Sequence, residues 1–312
     1  MKASHIQDVF SLLLLGIIDG TIQEDCSWKS GYENKADWPL NYGGVTHLVV
    51  FLLLLAPLNN VLEPRMLKAL FLDLDETLCD TQGANEWAKQ LMARDIEAQY
   101  GVNLNGQTFA DAYVAGIYRE WSDDQRARYM PIIEQQSEET FRLQLIHDLL
   151  AERAVENISN ETAQALQEKF DSDRLKAFDF YPGIVAFLVE ARKLFTLVVI
   201  TNGPEFSQLP KVERVNLAEH VDHIIIGGQE PEEKPAASIF NKALKLANCQ
   251  AHEVIHVGDS LASDIAGAHN SGITSVWIQH QQPLDAELGF NPHHTVLHPS
   301  EIPALIHQLH QN

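Results

Sequence analysis

Four aspartates, arranged in two pairs, are the residues of this sequence whose type and spacing could carry out chemistry. Asp73 and Asp75 form one pair, and Asp259 and Asp264 form the other. A carboxylate can attack phosphorus as a nucleophile, and a neighbouring carboxylate can act as a general acid and then as a base. Four such groups brought together would repel one another. We therefore expect a hard divalent cation with oxygen ligands among them, and Mg²⁺ suits such a site.

Both pairs come after predicted strands. A short apolar run, Ala69–Leu72, leads directly into Asp73, and a second apolar run, 254–257, precedes Asp259. In an open sheet of parallel strands, ligands bind beyond the carboxyl ends of the strands. We therefore expect the two pairs of aspartates to meet at one edge of such a sheet.

Further polar residues are predicted at the same edge. Thr201 and Asn202 follow an apolar run at 197–200, and Lys234 precedes a predicted helix at 238–247. Taken alone, Lys234 would more often be a surface lysine, because lysine is almost never buried unpaired. In this context, Thr201 and Lys234 would stabilise the charge on a transferring phosphoryl group.

The order of the predicted elements indicates an α/β fold. After residue 183, runs rich in β-branched residues alternate with helical patterns, which is typical of a doubly wound parallel sheet with helices on both faces. Between 81 and 178 the apolar spacing is helical and no strand signal interrupts it. We therefore expect a core at 66–80 and 179–312, with a helical insertion at 81–178.

These motifs together resemble the haloacid dehalogenase (HAD) superfamily. Its four motifs appear in order, as Asp73-x-Asp75-x-Thr77, Thr201, Lys234 and Gly258-Asp259-Ser260-x-x-x-Asp264. The resemblance implies a Rossmann-like core with the helical insertion as a C1 cap. It also implies a phosphatase that works through an aspartyl-phosphate, with Asp73 as the nucleophile and Asp75 as the acid/base. The implied phosphate-binding residues are Thr201, Asn202 and Lys234. The implied Mg²⁺ ligands are Asp73, Asp75 through its main-chain carbonyl, and Asp259, with Asp264 in support.

The same motifs are compatible with other activities. An acid at Asp75 favours phosphoryl chemistry, since true dehalogenases of this fold lack an acid at that position. The nearest alternative is a pyrimidine nucleotide 5′-phosphatase. A β-phosphoglucomutase-like mutase would use the same nucleophile and the same acid/base, and a non-catalytic binding protein would not need the intact motifs.

The substrate is expected to be a small phosphate ester, selected by the cap. The block 227–240 resembles the corresponding block of N-acylneuraminate-9-phosphatases, which implies a phosphorylated sugar or sugar acid such as N-acylneuraminate 9-phosphate. Three cap arginines could meet an anionic substrate, namely Arg119, Arg126 and Arg128, although solvated helix faces explain them equally well.

Composition restricts the other partners. The net charge of −21 argues against nucleic acid, because phosphate backbones are bound by basic surfaces. The three cysteines form no C-x-x-C pair, which fits a cytoplasmic protein. Irregularly spaced histidines near the C-terminus, including His293, His294 and His310, are interpreted as part of a surface tail rather than as metal ligands.

The first 65 residues are predicted to be an extension that is not part of the fold. Their two apolar runs, 9–18 and 48–56, are well below the roughly 20 residues that a membrane-spanning helix needs. No stable membrane insertion is therefore expected. Met66 stands just before the first core strand, so we expect the functional protein to begin near this residue.

Overall fold

The computed structural model of the protein describes residues 66–155, 157–283 and 289–311. The predicted N-terminal extension, 1–65, lies outside the described residues, and so do the predictions made for it. Within the described part of the chain, no helix is both long enough and apolar enough to cross a membrane.

Within the described residues, a six-stranded parallel sheet forms the centre of the fold, in the order β3-β2-β1-β4-β5-β6. Its strands are β1 (Ala69–Leu72), β2 (Thr196–Thr201), β3 (His223–Ile226), β4 (Val254–Gly258), β5 (Thr274–Ile278) and β6 (His294–Val296). The chain direction across the sheet reverses beside β1, and in doubly wound sheets this switch point is where ligands bind. The predicted α/β class is confirmed.

The alternation of side chains along each strand gives the sheet two buried faces. Leu70 and Leu72 belong to one hydrophobic cluster, whereas Ala69, Phe71 and Val198 belong to another. Successive side chains of a strand point to opposite faces. Because helices cover both faces, the strands are continuously apolar, as in other parallel sheets.

Helices cover the sheet and also form the insertion between β1 and β2. The helices of the insertion are α1 (Thr81–Tyr100), α2 (Gly106–Ile117), α3 (Asp123–Gln135), α4 (Glu138–Ala151) and α5 (Asn160–Ala177). The later helices are α6 (Ile184–Ala191), α7 (Glu205–Arg214), α8 (Leu217–His220), α9 (Ala237–Ala247), α10 (Ala266–Asn270) and α11 (Ile302–Gln311).

The inserted helices pack around a hydrophobic cluster of their own. In this cluster the ring of Tyr113 meets Phe170 edge to face, with the centroids 5.1 Å apart. The helix ends are set by local side chains, since Asp80 accepts a hydrogen bond from the main chain at the start of α1. Ser137 does the same at the start of α4.

The C-terminal segment differs from the sequence-based interpretation. Residues predicted to form a surface tail instead form β6 at the edge of the sheet and then α11. The hydroxyl of Ser275 and Nδ1 of His293 lie 3.0 Å apart, which ties this segment to β5. The interpretation as a tail is wrong because a three-residue strand is too short to give a clear pattern.

Candidate active site

The ends of β1, β2 and β4 bring the predicted motifs together. These strands are neighbours in the sheet, with β1 between the other two, so the residues that follow them lie at one edge. All the predicted site residues line one cavity of about 450 Å³: Asp73, Asp75, Thr201, Asn202, Lys234, Asp259 and Asp264. The grouping predicted from the sequence is therefore present in the structure, whereas the role of each residue stays a prediction.

Lys234 lies at the centre of this group. Its ammonium nitrogen donates to Oδ1 of Asp73 at 2.5 Å, to Oδ1 of Asp264 at 2.7 Å and to the carbonyl of Ile200 at 2.7 Å. The residue is buried. A buried ammonium group needs such acceptors, because a charge without partners is costly inside a protein. Lys234 thus holds the nucleophile candidate and one further carboxylate in fixed positions.

Asn202 fastens the loop that carries Lys234. Its side-chain amide nitrogen donates to the carbonyl of Lys234 at 2.8 Å, and its side-chain oxygen accepts from the Lys234 main-chain N–H at 2.9 Å. The side chain therefore positions the lysine. A direct contact of Asn202 with phosphate stays a prediction.

Three carboxylates stand close together beside Lys234. Asp73, Asp259 and Asp264 each offer one ligand atom, and these atoms all lie within 4.8 Å of one another. Burial raises the pKa of Asp73 to about 7, against the attraction of Lys234. Burial, with repulsion from Asp73 and Asp264, also raises the pKa of Asp259. Two acids that resist ionisation form a site in which a divalent cation would be stabilised.

Asp264 differs from its two neighbours because donors surround it. Its carboxylate accepts hydrogen bonds from Lys234 and from the main-chain N–H of Ser260, and Nε2 of His256 lies 2.9 Å from Oδ1. Burial alone would raise the pKa of Asp264, but Lys234 and His256 lower it to about 2. His256 was not predicted as a site residue. Its only sequence signal is that an imidazole stands inside the apolar strand β4.

Asp75 is held by donors from two different parts of the chain. Lys211 reaches both of its carboxylate oxygens, at 2.8 and 2.9 Å. Thr81 donates to Oδ1 at 2.5 Å, and Gln208 donates to Oδ2 at 3.1 Å. Burial alone would raise the pKa of Asp75, but the attraction and hydrogen bonds of Lys211 outweigh burial, so this pKa is lowered.

Lys211 and Gln208 were missed by the sequence analysis. Both lie on α7, and both are buried. Together with Val212 and Val215 they occupy one face of the helix, so polar residues stand at positions that the helical period assigns to the core. That mismatch is the signal that could have found them.

The inserted helices form the other wall of the cavity. Tyr118, at the end of α2, lines it, and its hydroxyl accepts a hydrogen bond from Asn85 of α1 at 2.9 Å. Among the arginines considered from the sequence, Arg126 and Arg128 are exposed. Arg119 forms a salt bridge with Glu138 at 3.2 Å.

Comparison with known proteins gives relatives over most of the chain. N-acylneuraminate-9-phosphatase from Rattus norvegicus is 27% identical over 243 residues, which are 78% of this chain and 94% of that protein. Pyrimidine 5′-nucleotidase YjjG from Escherichia coli is 29% identical over 210 residues, which are 67% of this chain and 84% of that protein.

A solved structure shares the fold. The HAD-hydrolase YfnB from Bacillus subtilis, solved bound to magnesium, superposes with a TM-score of 0.58. It is 18% identical, and the match covers 77% of this chain and 99% of that one. The family model described as haloacid dehalogenase-like hydrolase matches residues 67–272, which include every motif of the site. The chain therefore belongs to the haloacid dehalogenase-like hydrolases.

Proposed function

We propose that this protein is a magnesium-dependent phosphatase that hydrolyses a small phosphorylated metabolite. The observation that carries the proposal is the placement of Asp73, which is buried against Lys234 in a cavity that Asp75 also lines. Phosphoryl transfer through a covalent intermediate requires a carboxylate nucleophile, an adjacent acid/base and a fixed positive charge, which here is the ammonium group of Lys234. The names of the two relatives, one a phosphatase and the other a 5′-nucleotidase, support the same reaction.

The cluster of three carboxylates described above fits a magnesium ion. Asp73 and Asp259 would bind it together with the main-chain carbonyl of Asp75, and Asp264 would support the site from beside Lys234. All of these donors are oxygen atoms, the ligands that Mg²⁺ prefers, and the cavity leaves room for waters and a phosphate. The ion would neutralise charge on the phosphoryl oxygens during transfer.

In the first half-reaction, an oxygen of Asp73 attacks the phosphorus of the ester. The bond between phosphorus and the ester oxygen breaks, and this oxygen takes a proton from Asp75 as the alcohol leaves. Lys234 and Thr201 hold the non-bridging phosphoryl oxygens, so that the ester oxygen lies in line with the attacking oxygen of Asp73. The product of this step is an aspartyl-phosphate on Asp73.

In the second half-reaction, water attacks the same phosphorus atom. Asp75, now ionised, takes the proton from that water, and the bond between phosphorus and the Asp73 oxygen breaks. Inorganic phosphate leaves, and both aspartates return to their starting states. Each proton given up by Asp75 in the first half-reaction is thus recovered in the second.

The hydrogen bonds of Asp75 set a condition on this cycle. Four donor contacts come from Thr81, Gln208 and Lys211. They match the four acceptor sites of an ionised carboxylate. For Asp75 to carry a proton, at least one of these contacts has to open. Binding of the substrate would therefore rearrange the surroundings of Asp75 before the first step.

The preferred substrate in this proposal is a phosphorylated sugar or sugar acid, and N-acylneuraminate 9-phosphate is the leading candidate. The inserted helices, as a cap at 81–178 on a core of 66–80 and 179–312, would select it. The runner-up is a pyrimidine nucleoside 5′-monophosphate, which the relationship to YjjG favours. The cytoplasm is the proposed location.

The test is the release of inorganic phosphate from p-nitrophenyl phosphate in the presence of Mg²⁺. Asp73→Asn keeps the shape of the side chain but removes the charged nucleophile, so activity should fall by roughly a thousandfold or more. The exposed Asp123→Asn, on the surface of α3, serves as the matched control. Retention of more than a few per cent of activity by Asp73→Asn would refute the covalent mechanism. The ratio of kcat/KM for N-acetylneuraminate 9-phosphate to that for pyrimidine monophosphates then decides between the two substrates.

A further inference from the structure

A second cavity, of about 740 Å³, lies between the inserted helices and the sheet edge. Asp75, Tyr118 and Asn202 line both this cavity and the active-site cavity, so the two adjoin at the acid/base. A substrate whose phosphate lies at Asp73 can therefore extend into the second cavity. The groups that line its far wall would contact the rest of the substrate.

Arg142 of α4 lines this second cavity, and two of its three guanidinium nitrogens lack hydrogen-bond acceptors. The residue is 4% exposed, and its Nε and Nη1 atoms are buried without a hydrogen-bond partner. Glu138 lies 4.0 Å from Nε and Asp171 lies 3.6 Å from Nη1, which is beyond hydrogen-bond distance. Buried polar groups in proteins are nearly always satisfied, so a ligand is the natural source of the acceptors.

Packing holds the guanidinium of Arg142 in position. It lies over the ring of Phe206, 4.9 Å from the centroid, and Phe206 belongs to α7 of the core. Arg174 of α5 lines the same cavity and is itself tied, because it donates to Asp171 at 3.0 Å and to Ser207 at 3.4 Å. Arg142 therefore differs from Arg174, since it is equally buried but keeps donors that are not used.

The charges around Arg142 indicate which anion it would take. Glu138 and Asp171 lie beside it, and each of these acids also pairs with a second arginine, Arg119 or Arg174. Three guanidinium groups and two carboxylates leave one net positive charge. A carboxylate carries a single negative charge, whereas a phosphate carries up to two, so this net charge matches a carboxylate better than a phosphate dianion. Guanidinium groups also match the planar shape of a carboxylate.

We propose that Arg142 forms a second anion-binding site that takes a carboxylate of the substrate. The preferred substrates are then phosphate esters of carboxylic acids, such as phosphorylated sugar acids, rather than neutral sugar phosphates or nucleotides. This inference rests on the proposed phosphatase function, and it adds which part of the substrate the protein recognises.

The test compares N-acetylneuraminate 9-phosphate with its carboxyl methyl ester, in which the carboxylate charge is removed and one methyl group is added. In the full-length protein, kcat/KM for the acid should exceed that for the ester. Arg142→Met should lower the ratio of the two values by about tenfold or more, the size expected when a hydrogen bond between charged groups is lost. The exposed Arg128→Met, on a neighbouring cap helix, should leave the ratio unchanged.

Three results would overturn the carboxylate site. The first is a wild-type protein that does not distinguish acid from ester. The second is an Arg142→Met variant with an unchanged ratio. The third is a preference for fructose 1,6-bisphosphate over fructose 6-phosphate that exceeds the preference for acid over ester, because the site would then bind a second phosphate.

The proposed function can fail separately from the carboxylate site. Absence of phosphate release from every ester, including p-nitrophenyl phosphate, would overturn the phosphatase activity. The carboxylate site is then tested by calorimetric binding of N-acetylneuraminate 9-phosphate and its methyl ester. Tighter binding of the acid that is lost in Arg142→Met supports the site, and equal binding of the two compounds overturns it.

Discussion

The contact between Lys211 and Asp75 should contribute measurably to the stability of the protein. Lys211 reaches both oxygens of Asp75, and its side chain is 5% exposed against 27% for the aspartate. Removal of one partner of a fully buried ion pair costs about 3–5 kcal/mol. Asp75 keeps two other donors and some contact with solvent, so we expect Lys211→Met to cost about 2–3 kcal/mol.

This cost translates into a shift of the thermal midpoint. For a folded unit of this size, 1 kcal/mol corresponds to roughly 2–4 °C, so the midpoint of Lys211→Met should fall by about 4–12 °C. Asp75→Asn leaves the ammonium group without its counter-charge and should also destabilise the protein. In the double variant neither charge is left unpaired, so its loss should be smaller than the sum of the single losses by about 1–3 kcal/mol.

The assay is thermal unfolding followed by circular dichroism for the wild type, the two single variants and the double variant. Lys245→Met serves as the control, because Lys245 is exposed on α9, and its effect should stay within about 0.5 kcal/mol. If Lys211→Met lowers the midpoint no more than this control does, the pair contributes nothing to stability. Strictly additive losses in the double variant would show that the two residues are not coupled.

Three further predictions concern catalysis, the metal and the N-terminal extension. Asp75→Asn should slow alkyl phosphates far more than p-nitrophenyl phosphate, because the aryl leaving group needs less protonation; equal slowing of both in single-turnover assays would remove Asp75 as the acid. Mg²⁺ at a hundred times its Kd should stabilise the folded protein by about 2.7 kcal/mol, so the thermal midpoint should be higher in Mg²⁺ than in EDTA. Asp259→Asn should lose most of this increase. A wild-type midpoint that is the same in Mg²⁺ and in EDTA would contradict the metal site. A protein that begins at Met66 should keep the full-length kcat and midpoint, since the described residues contain the sheet and the site; loss of most activity would show that 1–65 is needed.

The parts of the site that could be predicted from the sequence are those set by local pattern. Asp73 and Asp259 could be placed because each follows directly after a short apolar strand, and strand ends meet at one edge in a parallel sheet. Lys234 needed more context, since a single lysine before a helix carries little information. The structure places it between Asp73 and Asp264.

The residues that were missed depend on contacts between distant segments. Lys211 meets Asp75 only because α7 packs beside the end of β1. Arg142 of α4 lies over the ring of Phe206, which belongs to α7. The helical period places Lys211 on the core face of α7 but does not identify Asp75 as its partner, and no spacing in the sequence pairs Arg142 with Phe206. Of the arginines considered from the sequence, Arg119 lines the second cavity, whereas Arg126 and Arg128 are exposed. A charge pattern along one helix does not tell which side faces a cavity.

The position of β1 at the centre of the sheet has a consequence for the order in which the chain folds. Leu72 is in register with Val199 of β2 on one side and with Val257 of β4 on the other, so the strand that leads to Asp73 gains its first neighbour only with β2 and its second only with β4. Contacts between residues so far apart in sequence form slowly, because long loops must close first. The inserted helices have a hydrophobic cluster made from their own residues, and helices with local contacts form quickly. During synthesis the insertion can therefore fold before β1 has paired with β2 and β4. The catalytic pocket is completed only after β4 has joined the sheet.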